Sequence, residues 1–390
     1  MPENIFASLQ VELDERAGLG LLRKRRLLGS PQSAHIKVDG ADVLSFCSND
    51  YLGLANHPAL TEALLEGIAH AGVGSGASHL ITGHHDMHHA LELKLAEFVE
   101  LPAALYFSSG YMANLGIVAA LMQRGDAIFA DKLNHASLND AVVLSRADLH
   151  RYRHNDLVHL ERLLSASKAT RKLVLADAVF SMDGDIAPVP ELLALCERYD
   201  AWLMLDDAHG FGVLGEHGQG ILSHFSVHSP RIIYMATLGK AAGVSGAFVA
   251  AASVLIDYLV QHARTYIYTT ATPPAFAKAA NAAIEVIKKD APRRTHLHSL
   301  IQHLKSNLKL SRWQLMPSDT AIQPVLVGSN EDAVKLSEYL LTQGILVPAI
   351  RPPTVPQGTA RLRISLSAAH STVDIDHMIK AMQQAERAWT

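Results

Sequence analysis

Residues 231–246 read R-I-I-Y-M-A-T-L-G-K-A-A-G-V-S-G. An apolar run rich in β-branched and aromatic side chains ends at Thr237, and a single lysine, Lys240, follows among glycine and alanine. A run of this kind bounded by turn residues reads as a buried strand. The same pattern recurs upstream at A-A-L-Y-F (103–107), A-I-F-A (127–130), K-L-V-L-A-D (172–177) and A-W-L-M-L (201–205), with helix-period segments such as 188–199 between most of them. Strands alternating with helices predict an α/β fold, with βαβ units building a mainly parallel sheet flanked by helices.

The residues after each run concentrate the chemistry. Ser108-Ser109-Gly110-Tyr111 follows the first, and Asp131, Asn134, His135 and Ser137 follow the second. Ser181 lies beyond the third, Asp206-Asp207-Ala208-His209 beyond the fourth, and Thr237 to Lys240 beyond the fifth. Ligands of open parallel sheets sit outside the carboxyl ends of the strands, so these five loops are predicted to converge on one site. Ser-Ser-Gly-Tyr at a helix start offers free backbone N–H groups to a phosphate. Asp206 fits two roles, as partner of a protonated ring nitrogen or as a capping carboxylate. A lysine in apolar surroundings loses its proton readily and becomes the amine that Schiff-base chemistry requires.

Rival motifs fail. Lys240 precedes Ala241 and no G-x-x-x-x-G-K-[ST] surrounds it, which excludes a Walker lysine. G-V-G-S-G (72–76) follows a helix-like segment instead of a strand, so it reads as a flexible turn near the site and not as a dinucleotide fingerprint. No G-x-S-x-G surrounds Ser181. H-H-D-M-H-H (84–89) spaces His84/His88 and His85/His89 as i,i+4 pairs. No Glu or Cys ligand pattern accompanies them, so a solvated or partly packed helix and no metal are expected.

With 390 residues, 49% hydrophobic and 18% charged, the chain can bury a large core and is expected to divide into more than one domain. A net charge of -4 with Lys and Arg dispersed leaves no electrostatic footprint for nucleic acid or an anionic membrane. Cys47 and Cys196 form neither a C-x-x-C motif nor a disulfide framework, which suits a reducing compartment. The N-terminus lacks a basic segment followed by an apolar run, and no stretch approaches the roughly 20 apolar residues that span a bilayer, so a cytoplasmic location is expected. The predicted division is an N-terminal arm at 1–45 with a helical segment L-L-R-K-R-R-L-L (21–28), a large domain at 46–280 and a smaller α+β domain at 281–390. A-T-P-P-A (271–275) marks the passage to that smaller domain, whose strand candidates are 322–327, 345–350 and 361–366.

Taken together, S-N-D-Y-L-G-L (48–54), G-V-G-S-G-A-S (72–78), S-S-G-Y-M-A-N (108–114), N-H-A-S (134–137), F-S-M-D-G-D (180–185), D-D-A-H-G-F-G-V-L-G (206–215), T-L-G-K-A-A-G (237–243), T-T-A-T-P-P (269–274) and R-L-R-I-S-L-S-A-A-H (361–370) resemble the α-oxoamine synthases. These are pyridoxal-phosphate enzymes of fold type I, the aspartate-aminotransferase fold. The resemblance runs in consistent order from about residue 20 to the end. A-I-R-P-P-T-V-P-Q-G-T-A-R-L-R (349–363) resembles the branch that joins L-alanine to a pimeloyl thioester, carried by CoA or a carrier protein, on the way to biotin. Glycine-using branches, glycine C-acetyltransferase and 5-aminolevulinate synthase, are the alternative. One departure is His79, where many members have arginine.

The resemblance implies a role for each loop. Lys240 would anchor pyridoxal 5'-phosphate covalently and then act as base, Asp206 would keep the pyridine nitrogen protonated, and His135 would stack on the ring. Ser181 and His209 would lie near the phenolic oxygen, and the Gly110 and Tyr111 backbone with Thr237 would hold the phosphate. Thr269 or Thr270 would reach the phosphate of the neighbouring subunit in a homodimer with shared sites. Arg351 would clamp the substrate carboxylate, a natural task for a guanidinium, with Asn49 and Thr354 nearby and Arg23 toward the far carboxylate of the acyl chain.

Overall fold

The computed structural model describes residues 5–389. They form two compact units: residues 49–298, and the chain up to Ser48 together with the chain from Ser299 onward.

The larger unit is built on a seven-stranded sheet in the order Ala103–Phe107, Ala247–Ala251, Ile232–Thr237, Trp202–Asp206, Lys172–Asp177, Ala127–Asp131, Asp148–Tyr152. Ala247–Ala251 runs antiparallel to both neighbours, and the remaining strands are parallel to one another. All five strands expected from the sequence are present. On one face Leu105, Ile128, Leu173, Met204, Ile233 and Val249 pack with Ile117, Val118, Leu138 and Leu259 from the covering helices. Alternate residues on the other face, Phe129, Val174, Leu203, Tyr234 and Phe248, are buried as well. Burial on both faces is the reason these strands read as continuous apolar runs. Truncating an aliphatic side chain in such a core costs about 2–5 kcal/mol, so the sheet is a rigid base for whatever its loops carry.

Two strands of this sheet were not expected. Among the described residues Asp148–Tyr152 pairs only with Ala127–Asp131, and it is mostly exposed. Its sequence, D-L-H-R-Y, therefore carries the mixed polarity of a sheet edge. Ala247–Ala251, A-F-V-A-A, is fully buried between two strands but is mostly alanine, a helix former.

Beyond the edge strand, His154 lies between two carboxylates, with Nδ1 3.1 Å from Asp131 Oδ1 and Nε2 2.8 Å from Asp185 Oδ2. Burial pulls the imidazole pKa down, but the two carboxylates outweigh it and raise the group to about 10. The unfolded value is about 6.5, so this contribution is complete below that pH and is lost as pH rises through the folded value. The difference in unfolding free energy between wild type and His154→Ala, measured by denaturant titration, is expected to be largest near pH 6 and to shrink toward pH 11. A difference independent of pH would contradict the assignment.

In the smaller unit His35–Val38 and Ala41–Ser45 form an antiparallel pair, and Ile345–Leu346 adds parallel to the second strand. A second, antiparallel sheet runs Gln314–Leu315, Ile322–Gly328, Ala360–Ser365, Ala349–Ile350. Three expectations are corrected here. Residues 21–28 are not helical; the helix is Ala7–Gly18, while Leu28 bridges Val38 and the Leu27 N–H bonds Asp39 Oδ1 at 2.8 Å. Hydrogen bonds to the strand pair thus override the local helix propensity. The region expected to be a simple arm supplies two strands and groups with the C-terminal residues, and the boundary falls after His298 instead of at 280. The expected strand 345–350 is split, because Pro348 has no N–H to give a ladder, and its halves join different sheets. No helix among the described residues is long and apolar enough to cross a membrane.

Candidate active site

The carboxyl ends of the parallel strands enclose a cavity of about 210 Å³, whose lining includes Gly110, Tyr111, His135, Asp206, His209, Thr237 and Lys240. Four of the five loops, distant in sequence, therefore meet in one place, and the strand Lys172–Asp177 reaches it with its last residue, Asp177.

Lys240 owes its position to a tight connection between Ile232–Thr237 and the antiparallel Ala247–Ala251. The Leu238 N–H bonds Gly246 O at 2.9 Å and the Gly243 N–H bonds Lys240 O at 2.9 Å, closing the loop on itself. Gly243 adopts φ +69°, and a Cβ there would come within 2.5 Å of the Leu54 and Ala55 backbone. Only glycine fits such a position. Ala241 and Ala242 are buried beside it, so the lysine is the long side chain of an otherwise packed turn.

Lys240 Nζ is 2.9 Å from His209 Nε2, and His209 Nδ1 is 2.6 Å from the Tyr51 hydroxyl, which donates to Asn49 Oδ1 at 3.2 Å. With the tyrosine proton directed to Asn49, His209 Nδ1 donates to the Tyr51 oxygen and its Nε2 accepts from the lysine amine. The imidazole tautomer and the direction of the amine are thereby set together.

A second network holds Asp206, which is 6% exposed. Its Oδ1 accepts the Ala208 N–H at 3.0 Å, and its Oδ2 accepts from Asn114 Nδ2 at 2.8 Å. Asn114 Nδ2 also donates to Ser137 Oγ at 2.9 Å, and Ser137 Oγ is 2.7 Å from His135 Nδ1. One buried amide thus links the carboxylate to the imidazole. Burial lowers the His135 pKa, opposed by the Asp206 charge and assisted by that of Lys240. The ring therefore stays neutral and can lie flat against an aromatic group without adding positive charge. Asp177, whose Oδ1 accepts the His135 N–H at 3.2 Å, is pushed well up, first by burial and then by the nearby Asp206 charge.

Opposite these groups begins the helix Gly110–Leu121, capped by Ser109, whose hydroxyl accepts the Met112 N–H at 3.2 Å. The amides of its first turn have no intrahelical acceptor, which suits an anion. A Cβ added at Gly110 would meet nothing closer than van der Waals contact, the nearest atom being Thr237 Cβ at 3.9 Å. An anion-binding helix start, a carboxylate, a neutral imidazole and a fixed amine are the donor set expected for pyridoxal phosphate, and the residues fit it.

Other expected site residues stand elsewhere. Ser181 is half-buried in the turn after Lys172–Asp177 and does not line the cavity, Thr269 is half-buried, and Thr270 is exposed. In the smaller unit Arg23 is exposed, the Arg351 Nη1 donates to Gly20 O, and the Thr354 N–H bonds Arg351 O at 3.1 Å.

Sequence reasoning missed the roles of Asn114 and Tyr51. Asn114 sits on the buried stripe of its helix with Ala113, Ile117, Val118 and Leu121, and a polar residue on an apolar stripe is a readable signal. Its Oδ1 is buried without a partner among the described residues. Asn114→Ala removes the donor shared by Asp206 and Ser137. It is expected to lower unfolding free energy by about 1–3 kcal/mol and kcat by about 10–100-fold through misplacement of both groups. Steady-state kinetics beside denaturant unfolding check this, and an unchanged rate would show that the bridge is only structural.

The family model for class I and II aminotransferases matches residues 41–382. The 8-amino-7-oxononanoate synthase of Methylobacillus flagellatus is 62% identical over 384 residues, covering 98% of this chain and 97% of that protein. A serine palmitoyltransferase solved with PLP as an internal aldimine superimposes with a TM-score of 0.92 at 29% identity, over 98% of both chains. The 8-amino-7-oxononanoate synthase structure from Francisella tularensis gives 0.76 at 31% identity over 88% of this chain and 98% of that one. The chain belongs to the class I and II aminotransferases and, within them, to the family of 8-amino-7-oxononanoate synthases.

Proposed function

We propose that the protein is a pyridoxal-phosphate-dependent acyltransferase that condenses L-alanine with a pimeloyl thioester, giving 8-amino-7-oxononanoate, CO2 and the free thiol carrier in biotin synthesis. The carrying observation is the Lys240 amine, 2.9 Å from His209 Nε2 in a cavity that also holds Asp206 and His135. High identity to a relative of that name over nearly the whole chain supports the same reading.

When bound, the cofactor supplies an electron sink for the carbanion at the alanine α-carbon. The protein's part is to place charges and move a proton. Lys240 would hold the cofactor through its amine, and that amine, when free, would take the α-proton of alanine. The His209 ring, held by Tyr51, aims that amine. Asp206, held by Asn114, would accept the N–H of the cofactor's ring and keep that ring protonated. His135 would cover the ring face as a neutral imidazole, and the amides at Gly110 and Tyr111 with Thr237 would hold the phosphate.

Arg351 binds the amino-acid carboxylate, assisted by Asn49 and Thr354, while Arg23 meets the distal carboxylate of the acyl chain. Ser181 assists at the phenolic oxygen. The protein works in the cytoplasm as a homodimer in which Thr269 or Thr270 reaches the neighbouring phosphate. The test is thiol and CO2 release with alanine or glycine against pimeloyl, acetyl and succinyl thioesters. Turnover is expected with alanine and the pimeloyl donor, and its absence there would overturn the assignment. Preferred turnover of glycine with a short donor would move the protein to another α-oxoamine synthase.

A further inference from the structure

The histidines at 84–89 have no Glu or Cys ligand pattern in the sequence, and the fold brings a buried glutamate to them. Glu92 projects from the helix Asp86–Phe98, and its Oε2 lies 3.8 Å from His84 Nε2. Its other oxygen accepts the Tyr106 N–H at 2.9 Å, so the carboxylate is fixed in direction. The Glu92 side chain is only 12% exposed, and His84 is its only ion-pair partner among the described residues. A buried carboxylate of this kind calls for a positive charge.

His89, one helical turn before Glu92, completes a group of three ligand atoms within 4.8 Å of one another. From these three side chains we infer that His84, His89 and Glu92 form a binding site for one divalent transition-metal ion of the zinc type. Two imidazole nitrogens and one carboxylate oxygen with an open fourth position make a familiar zinc donor set. Magnesium and calcium prefer all-oxygen surroundings. A tetrahedral ion with bonds of about 2.1 Å needs its ligands roughly 3.4 Å apart, so the set must close a little. The exposed His84 and His89 can rotate inward while Glu92 stays held.

The outer contacts suit this arrangement. His84 Nδ1 lies 3.1 Å from Nδ1 of the buried His79, which itself stacks on Tyr266 at 4.7 Å between centroids. With His84 Nδ1–H donating to His79, the Nε2 lone pair is left facing Glu92, and a metal-bound imidazole commonly has its other nitrogen fixed in this way. His88, though near, is excluded as a ligand. Its Nδ1 accepts the His85 N–H at 3.0 Å, and its Nε2 is then the donor to Thr272 O at 2.8 Å, so neither lone pair is available. None of the three proposed ligands lines the cavity around Lys240. An ion here would clamp the turn His79–Gly83 to the following helix.

The test uses the chelator-stripped holoenzyme, so that Lys240 and the cofactor do not compete, with zinc chloride as probe in titration calorimetry and cobalt chloride for visible absorption. Wild type is expected to bind one ion per chain, with the intense bands of a tetrahedral cobalt site. His89→Ala and Glu92→Gln, the latter keeping an acceptor for Tyr106, are each expected to weaken binding at least about tenfold. His228→Ala, an exposed histidine elsewhere, should leave binding unchanged. Failure of wild type to bind, or equal binding by every variant through scattered surface histidines, would overturn the inference.

Discussion

Lys240→Ala is expected to lower alanine-dependent CO2 release by about 10⁴-fold or more, because one side chain serves as both covalent anchor and proton acceptor. The loss should fall on kcat and not on the fold. Lys240 stands at the tip of a turn whose own backbone bonds, Leu238 to Gly246 and Gly243 to Lys240, do not use the side chain. Thermal unfolding of the apo variant should therefore stay near wild type. Its cofactor should be removable by dialysis, since only non-covalent contacts with His135, Asp206 and the phosphate site would still hold it. Rates within tenfold of wild type would mean that another group takes the α-proton.

Asp206→Asn is expected to lower kcat by about 10²–10³-fold, the range seen when a preorganised electrostatic partner is removed. The amide can still accept the Ala208 N–H, but it has no charge to hold a proton on the ring nitrogen. A turn of the Asn114 amide would bring its unpartnered Oδ1 toward the new NH₂ group, so the packing should survive. The absorption spectrum of the bound cofactor separates the two effects. A loss of rate with a shifted spectrum and an unchanged melting temperature supports the electrostatic role, whereas an unchanged rate would assign Asp206 to capping alone.

The legible parts of the fold were those where burial acts on both faces of a strand. Lys172–Asp177 and Ile232–Thr237 have neighbours on each side and helices over the sheet, so hydrophobicity leaves an unbroken run in the sequence. Asp148–Tyr152 has water along one edge and loses that signature. Ala247–Ala251 is buried, but alanine is no strand former, and only its two neighbours hold it in place. The stretch at 21–28 misled because its leucines and arginines favour helix, while its partner strand lies in a part of the chain that periodicity cannot see.

Candidate site residues followed the same logic. His135, Asp206, His209, Thr237 and Lys240 were found because strand-end loops share one rim of a parallel sheet, and all five line the cavity. Asn114 and Tyr51 were missed because they act through Asp206 and His209, a relation set by contacts between distant segments. Glu92 escaped for the same reason. No spacing rule links it to His84, which lies outside the helix that carries Glu92.

The most direct measurement is borohydride reduction of the holoenzyme followed by peptide mapping. The cofactor mass should appear on one peptide, the one containing Lys240, with loss of the visible absorption band. Label on a different lysine, or a colourless protein that takes up no label after incubation with pyridoxal phosphate, would contradict the account.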